Sequence, residues 1–371
     1  MTSAMRSSAL RTVVAAMMAL LAACTSAQRQ ATPAEPTSTA DPGTTASSSQ
    51  PPSPVAGLGD FPAFPHEPLP EPVAASLQAV LDDAVEQGTF RGVTAAVIVA
   101  DSGSWSGATG VDLEGNALTP DAQLLIASVG KTLTAAQVLR LAEEGRLGLD
   151  DPVADHLPPE AAFFDANDAT IRDVLGMRSG IADPPGYIGL VDTGSTPAEL
   201  LERVPGPLFP AGSEISYANI NYILLGMIIE HVTGRPLWEV LRPGVLDRPG
   251  LDGLVYRVKG ALAADGWRIE SDPAALARWG YELYGGFVLS DASLRQMTDF
   301  QGDYYGLGAI DFSQTPPAIV GGIGHGGFEP SNAVMLAAFP QTGVVVAVQA
   351  NIGTLEPVKT VVAALRDAAQ L

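Results

Sequence analysis

Residues 124–131 read LLIASVGK, an apolar segment that runs directly into the start of a predicted helix. Apolar residues at helical spacing extend that helix over 131–144, and Gly145 is well placed to end it. Ser128 and Lys131 lie one helical turn apart on a shared face. A lysine so placed can take or polarise the hydroxyl proton, and the helix N-terminus favours the negative charge that develops there.

The Ser-x-x-Lys pattern alone leaves two interpretations open. The serine could equally cap the helix, with Lys131 pointing into solvent. The chain contains only three lysines, at positions 131, 259 and 359, so the pattern uses a scarce residue type. The rest of the sequence has to decide between a nucleophile and a helix cap.

A second group of polar residues, Tyr217-Ala218-Asn219, lies in a loop before a helix predicted over 221–233. A nearby lysine ammonium would favour the phenolate of Tyr217 and make it a usable base. Asn219 could hydrogen-bond Lys131 and a substrate amide at once. The alternative is a core tyrosine whose hydroxyl binds a backbone group.

A third group, His325-Gly326-Gly327, lies at the edge of a predicted strand pair. Glycines there would let a substrate approach the backbone, and an N–H group could join that of Ser128 in an oxyanion hole. His325 could donate a hydrogen bond to the substrate or to Tyr217. Residues 322–327 also match G-x-G-x-x-G, but a dinucleotide site needs a helix next, and a second strand-like run follows instead.

The two ends of the folded part have mirrored patterns. A helix beginning near Pro72 precedes a strand hairpin at the N-terminal end, and a hairpin precedes a helix that opens at Pro357 at the other. The predicted strands cover 92–100, 104–110, 332–339 and 344–349. We predict an α/β (α+β) fold in which one antiparallel sheet is flanked by the N- and C-terminal helices, with a mostly helical region inserted at about 131–300.

Composition excludes several function classes. The formal net charge of −21 repels phosphate backbones, so nucleic-acid binding is not expected. The 46% of hydrophobic residues is enough for a folded core. The single cysteine excludes a disulfide within the chain, and the four histidines have no spacing typical of a metal site.

The N-terminus predicts export and anchoring. Residues 1–23 combine early arginines with a short apolar run typical of a signal peptide, and they end before Cys24 in a bacterial lipobox-like LAAC. We expect Cys24 to be lipidated, which would anchor the protein outside the bacterial cell membrane; an ordinary signal peptide with an incidental cysteine is the alternative. Residues 24–70, rich in Pro, Ser, Thr and Ala, predict a disordered tether that begins to dock near Phe61. The folded domain is predicted over 71–371.

Taken in order, Ser-x-x-Lys, Tyr-x-Asn and His-x-Gly resemble the serine β-lactamase and D,D-peptidase superfamily. Within it, the pattern is most similar to class C β-lactamases, D-alanyl-D-alanine carboxypeptidases and related esterases. Residues 175–181 (LGMRSGI) and 217–226 (YANINYILLG) resemble further segments of that family. The resemblance covers roughly residues 71–371 and implies a β-lactamase/transpeptidase-like fold.

The resemblance also implies roles for the motif residues. Ser128 would be acylated by the substrate, while Lys131 and Tyr217 together would activate it and return the proton to the leaving group. Asn219 would support Lys131 and hold the substrate amide. No metal or organic cofactor is implied.

The third motif departs from the β-lactamase pattern. His325 stands where those enzymes usually have lysine, and a mostly neutral histidine grips a substrate carboxylate less firmly than an ammonium does. The N–H of Phe328 would complete the oxyanion hole, although its ring narrows the pocket. Arg178 is a cation that could compensate for the missing lysine. These departures favour a peptidase or an esterase over a β-lactamase.

The sequence therefore predicts a serine hydrolase that forms an acyl-enzyme on Ser128 and resembles a D,D-carboxypeptidase or other peptidase, or an esterase. The expected substrate is a small peptide amide or carboxylic ester, with cell-wall peptides included because the lipobox places the site outside the membrane. The alternative is a penicillin-binding or sensor module without turnover. A true β-lactamase is the third possibility.

Overall fold

The computed structural model describes residues 55–257 and 260–370. The predicted signal peptide, Cys24 and most of the predicted tether lie outside the described residues. Within them, no helix is both long enough and apolar enough to cross a membrane.

One antiparallel sheet of six strands forms the centre of the fold, in the order β2-β1-β9-β8-β7-β6. The strands of the described residues are β1 (Gly92–Val99), β2 (Gly103–Gly110), β3 (Leu124–Leu125), β4 (Val255–Tyr256), β5 (Ile269–Ser271), β6 (Ile310–Asp311), β7 (Ile323–Glu329), β8 (Asn332–Phe339) and β9 (Val344–Ala350). Strands β1 and β9 pair from Val93↔Ala350 to Val99↔Val344. The prediction that both ends of the chain share one sheet is confirmed.

Both faces of the sheet are buried, which explains why its central strands are nearly continuous apolar runs. On β1, Val93, Ala95 and Val97 belong to one core cluster, whereas Ala96 and Ile98 belong to the other. The first face is covered by the two terminal helices, α1 (Glu71–Glu86) and, at the far end of the chain, a helix over Glu356–Ala368. This packing of both terminal helices on the sheet confirms the predicted architecture.

The remaining helices come from the central part of the chain. They form the core that covers the other face of the sheet, the face of Ala96 and Ile98. They are α2 (Lys131–Glu143), α3 (Ile171–Leu175), α4 (Tyr187–Asp192), α5 (Pro197–Leu201), α6 (Ile220–Thr233), α7 (Leu237–Leu241), α8 (Pro273–Tyr284) and α9 (Asp291–Met297), so the C-terminal helix is α10. Helix α8 crosses the sheet so closely that a methyl group at Gly280 would lie 2.7 Å from Leu336 Cδ1. Helix α5 begins with the capping box that Thr196 and Glu199 predicted.

A small second sheet lies within the mostly helical region, in the order β3-β5-β4. Its strands are two or three residues long, too short for a recognisable alternation, so the sequence patterns did not predict it. Beyond the paired residues, Ile126 N–H donates to Ile269 O at 2.9 Å. This sheet therefore fixes the chain immediately before Ser128.

The folded part begins earlier than the predicted boundary at residue 71. Phe61 and Leu69 are buried in the core, and Tyr281 donates a hydrogen bond to Pro62 O at 2.9 Å. The guanidinium of Arg278 lies 3.7 Å from the Phe64 ring centre. Aromatic anchors therefore order a stretch whose Pro-rich composition favours a tether, as the expected docking at Phe61 anticipated.

Helix α6 packs tightly on the segment 261–265, which contributes to the site described below. A methyl group at Gly226 would lie 2.7 Å from Ala264 Cβ and 2.8 Å from Ala261 O. We expect Gly226→Ala to lower the free energy of unfolding by about 1–3 kcal/mol, because the helix must move away. In the control Gly189→Ala, at an exposed position of α4, the methyl meets no atom within 4 Å.

Urea unfolding of the two variants measures the difference. The control should gain about 0.5–1 kcal/mol from the helix preference of alanine. Equal stabilities for both variants would contradict the close packing of α6.

Candidate active site

The residue before Ser128 has an unusual backbone conformation. Ala127 has φ +44°, a left-handed value that costs a non-glycine residue about 1–3 kcal/mol. Ala127–Gly130 form a short 3-10 helix that continues into α2. Two glycines let neighbouring backbone approach this turn: a methyl at Gly266 would lie 1.8 Å from Ala127 O, and one at Gly327 would lie 2.5 Å from Ser128 N. The turn is therefore held between β7 and the 265–267 loop, with Ser128 partly exposed.

Lys131 is fully buried and its ammonium has three acceptors. Nζ donates to Ser128 Oγ at 3.0 Å, to Asn219 Oδ1 at 2.9 Å and to Asp265 O at 2.9 Å. An ammonium has three N–H donors, so each one is used. The alternative of a solvated lysine beside a capping serine does not fit this arrangement.

Tyr217 lies at the surface of the same site, with 38% of its area exposed. Lys131 Nζ is 5.2 Å from the centre of its ring. The ring contacts Tyr305 edge-on, at 5.9 Å between centroids. Tyr217 is therefore not the core tyrosine of the alternative interpretation, and the structure brings it together with Ser128 and Lys131.

Asp183 fixes the side-chain amide of Asn219. Asn219 Nδ2 donates to Asp183 Oδ2 at 3.0 Å, while the backbone N–H of Ile220 donates to Asp183 Oδ1 at 2.8 Å. Because Nδ2 of Asn219 donates to the carboxylate, Oδ1 of the same amide is turned towards Lys131. Burial raises the pKa of the Asp183 carboxyl, against the lowering effect of these hydrogen bonds and of the Lys131 charge. Sequence reasoning missed Asp183, because a lone carboxylate at no fixed distance from a motif gives no signal.

The segment 175–181 supports the loop that contains Tyr217. Met177 is buried with φ +58°, and its Sδ accepts from Ala218 N–H at 3.5 Å and from Asn221 Nδ2 at 3.4 Å. Ser179 Oγ donates to Asn221 Oδ1 at 2.7 Å. The two segments that resemble the family outside its three motifs therefore bind each other.

The side chain of Asp265 fixes the 265–267 loop, and the backbone carbonyl of the same residue accepts a hydrogen bond from Lys131. Its carboxylate accepts from Tyr187 Oη at 2.7 Å and from Trp267 N–H at 2.8 Å. Burial, followed by the negative charge of Asp265, raises the pKa of Tyr187 well above its ordinary value, so that phenol stays a donor. Both residues were missed from the sequence, where they belong to no motif.

His325 is buried and both of its ring nitrogens are occupied. Nδ1 lies 2.7 Å from Gly326 O, and Nε2 lies 3.1 Å from Tyr305 Oη. Burial, helped by the charge of Lys131, lowers the pKa of His325 to about 3, so the ring is neutral near pH 7. A carbonyl can only accept, so the single ring proton lies on Nδ1 and the Tyr305 hydroxyl donates to Nε2. This differs from the expectation that His325 bonds Tyr217 or the substrate.

The residues after His325 line the other side of Ser128. Gly327 lies against the nucleophile turn, whereas a methyl at Gly326 would point at Leu355, 3.2 Å away. Phe328 is 53% exposed and follows Gly327 on β7. A strand edge and a helix N-terminus thus meet at Ser128.

Arg178, the proposed substitute for a third-motif lysine, forms an ion pair with Asp303. It lines a cavity of about 200 Å³ with Tyr305. Among the described residues, no group of three His, Cys, Asp or Glu side chains could hold a metal ion.

Curated relatives match part of the chain. "Protein flp" of Staphylococcus aureus (strain NCTC 8325 / PS 47) is 34% identical over 123 residues, which are 31% of this chain and 24% of the relative. A "Putative D-alanyl-D-alanine carboxypeptidase" of Escherichia coli (strain K12) is 32% identical over 130 residues, 32% of this chain and 30% of the relative. The chain thus spans less than a third of the length of either relative.

A solved structure matches most of the fold. The D-stereospecific amidohydrolase from Streptomyces sp. superposes with a TM-score of 0.62 and 25% identity, covering 77% of this chain and 97% of that one. A family model described as Beta-lactamase matches residues 77–370, which include Ser128, Lys131, Tyr217 and His325. The chain therefore belongs to the Beta-lactamase family.

Proposed function

We propose that this protein is a serine hydrolase that forms an acyl-enzyme on Ser128 and acts on a peptide amide or carboxylic ester. The observation that carries the proposal is the hydrogen bond from the buried Lys131 ammonium to Ser128 Oγ at 3.0 Å. A carboxypeptidase among its relatives and an amidohydrolase among the solved structures support acyl transfer from an amide.

In the first step, Ser128 Oγ attacks the substrate carbonyl carbon and gives its proton to the phenolate form of Tyr217, which the neighbouring Lys131 ammonium favours. The carbonyl oxygen becomes an oxyanion, which the backbone N–H groups of Ser128 and Phe328 would stabilise. When the C–N or C–O bond breaks, Tyr217 returns the proton to the leaving amine or alcohol. The acyl group then remains on Oγ as an ester.

In the second step, a water molecule attacks that ester. The phenolate of Tyr217 accepts a proton from the water and returns it to Ser128 Oγ, so the carboxylic acid leaves and the enzyme is regenerated. Tyr217 is partly exposed, so the departing leaving group and the incoming water can both reach it. Asn219 and Asp265 would keep Lys131 in place throughout, since their oxygens bind two of its three N–H groups.

We predict that Ser128 is the residue acylated. Incubating the protein with a para-nitrophenyl ester and quenching in acid should add one acyl mass to the intact chain, and peptide mapping should place it on Ser128. Ser128→Ala should lose the adduct and at least about 10³-fold in turnover, as loss of a nucleophile does in other serine hydrolases.

Ser76→Ala serves as the control, because that hydroxyl is exposed and bonds only its own helix at Pro72 O. Labelling of Ser128→Ala at the wild-type rate would refute the proposal. A stable adduct with benzylpenicillin and no turnover would instead identify a penicillin-binding or sensor module, and rapid penicillin consumption would identify a β-lactamase.

We also predict that Asp183 acts as a positioning residue. An asparagine side chain offers one oxygen where the carboxylate accepts from both Asn219 Nδ2 and Ile220 N–H, so Asp183→Asn should lower kcat about tenfold with a smaller change in KM. Because burial raises the pKa of Asp183, the wild-type activity should fall with decreasing pH while the pH is still above 3.8, its ordinary value.

The pH profile separates this role from a general loss of stability. Asp183→Asn should lack the acid limb that comes from protonation of the carboxylate. A variant with wild-type kcat and an unchanged acid limb would show that Asn219 needs no anchor.

We further propose that Cys24 is lipidated and that the protein is anchored outside the bacterial cell membrane. The lipobox-like residues 21–24 and the position of the single cysteine support this. In a bacterial host, wild-type protein should partition into detergent and yield a lipid-modified N-terminal peptide by mass spectrometry. Cys24→Ser should stay in the aqueous phase; equal partitioning of the two forms would contradict the proposal.

A further inference from the structure

We infer that the active site selects substrates with no free carboxylate close to the scissile bond, such as carboxamides and esters with uncharged leaving groups. The inference rests on the proposed function and deepens it to a substrate class. The observation behind it is that the cations around Ser128 already have hydrogen-bond or ion-pair partners within the protein.

His325 cannot bind a carboxylate. Its one ring proton is donated to Gly326 O at 2.7 Å, and its other nitrogen accepts from Tyr305 at 3.1 Å. With 1% of its area exposed, the ring has neither a free donor nor a path to substrate. Tyr305 therefore acts as a positioning residue that keeps the imidazole in a closed, neutral form.

The other nearby cations are also paired. Lys131 donates its three N–H groups to oxygens of the protein itself. Arg178 forms an ion pair with Asp303. Arg268, beyond the 265–267 loop, lies 3.5 Å from Asp192. Each of these cations already faces an acceptor or a carboxylate, so an incoming carboxylate would have to compete with that partner.

Carboxylates outnumber these cations around the site. Asp183 and Asp265 flank Lys131 through Asn219 and the loop carbonyl. Burial raises the pKa of Glu329, at the end of β7, and the negative charges of Asp192 and Asp265 raise it further, against the lowering effect of Arg268. A substrate carboxylate would be repelled, whereas a neutral group would not.

An exposed side chain beside Lys131 suits an uncharged group. Tyr217 is 38% exposed, and its ring centre lies 5.2 Å from Lys131 Nζ. The ring presents aromatic surface that offers no cation. An amide or ester substituent can pack there, but a carboxylate would lose water with no compensating partner.

A pair of matched esters tests this inference: para-acetoxybenzamide and para-acetoxybenzoate. They share the acetyl group and differ only in whether the leaving group has a carboxamide or a carboxylate. After correction for their rates of hydroxide hydrolysis, we expect kcat/KM to favour the benzamide at least about tenfold. Raising the salt concentration should narrow the ratio, because salt screens repulsion between charges.

The variant His325→Lys should raise kcat/KM for the benzoate selectively, since it supplies a cation, whereas the neutral control His325→Gln should not. If the buried lysine prevents folding, the salt dependence of the wild-type ratio of kcat/KM for the benzamide to kcat/KM for the benzoate still tests whether the site repels a carboxylate. Equal or better turnover of the benzoate by wild-type protein, without a salt effect, overturns the inference. Absence of Ser128-dependent turnover with either ester instead refutes the proposed function.

Discussion

The structure depends on where the Lys131 ammonium finds its three acceptors. A fully buried charge is tolerated only when it is hydrogen-bonded, and each bond to a charged group contributes about 1.5–3 kcal/mol. The acceptors come from three separate parts of the chain: the nucleophile turn, the loop before α6 and the segment after residue 261. The need to satisfy one ammonium thus fixes the relative positions of the three segments.

A second layer of contacts fixes those acceptors in turn. Asp183 orients the amide of Asn219, Tyr187 and Trp267 hold the carboxylate of Asp265, and the small sheet ties Ile126 to Ile269. The strained φ of Ala127 persists because backbone presses on the turn from both sides, at Gly266 and Gly327. The groups proposed for the chemistry are therefore held from several sides, while Ser128 and Tyr217 are partly exposed.

Much of the fold could be predicted because it rests on periodic patterns. The strand hairpins at 92–110 and 332–350 and the helices opened by Pro72 and Pro357 follow from apolar repeats and turn residues. Tyr305, Asp183 and Asp265 could not be predicted, because each acts through a single contact with a residue far away in the sequence. The neutral state of His325 also depends on burial, which its motif does not encode. Of the order of residues 55–70, only the docking near Phe61 was predicted, because the composition favours disorder and the aromatic anchors override it.

The pairing of β1 with β9 has a consequence for how the protein matures. Val93 forms a ladder with Ala350, so the sheet is incomplete until residues more than 250 positions apart have met. Folds dominated by such distant contacts form slowly, since loop closure precedes any gain from pairing. A chain emerging from the ribosome could not close the sheet, or bring β7 against Ser128, before its last strands were made. The site around Ser128 would then be completed only when the last strands pair.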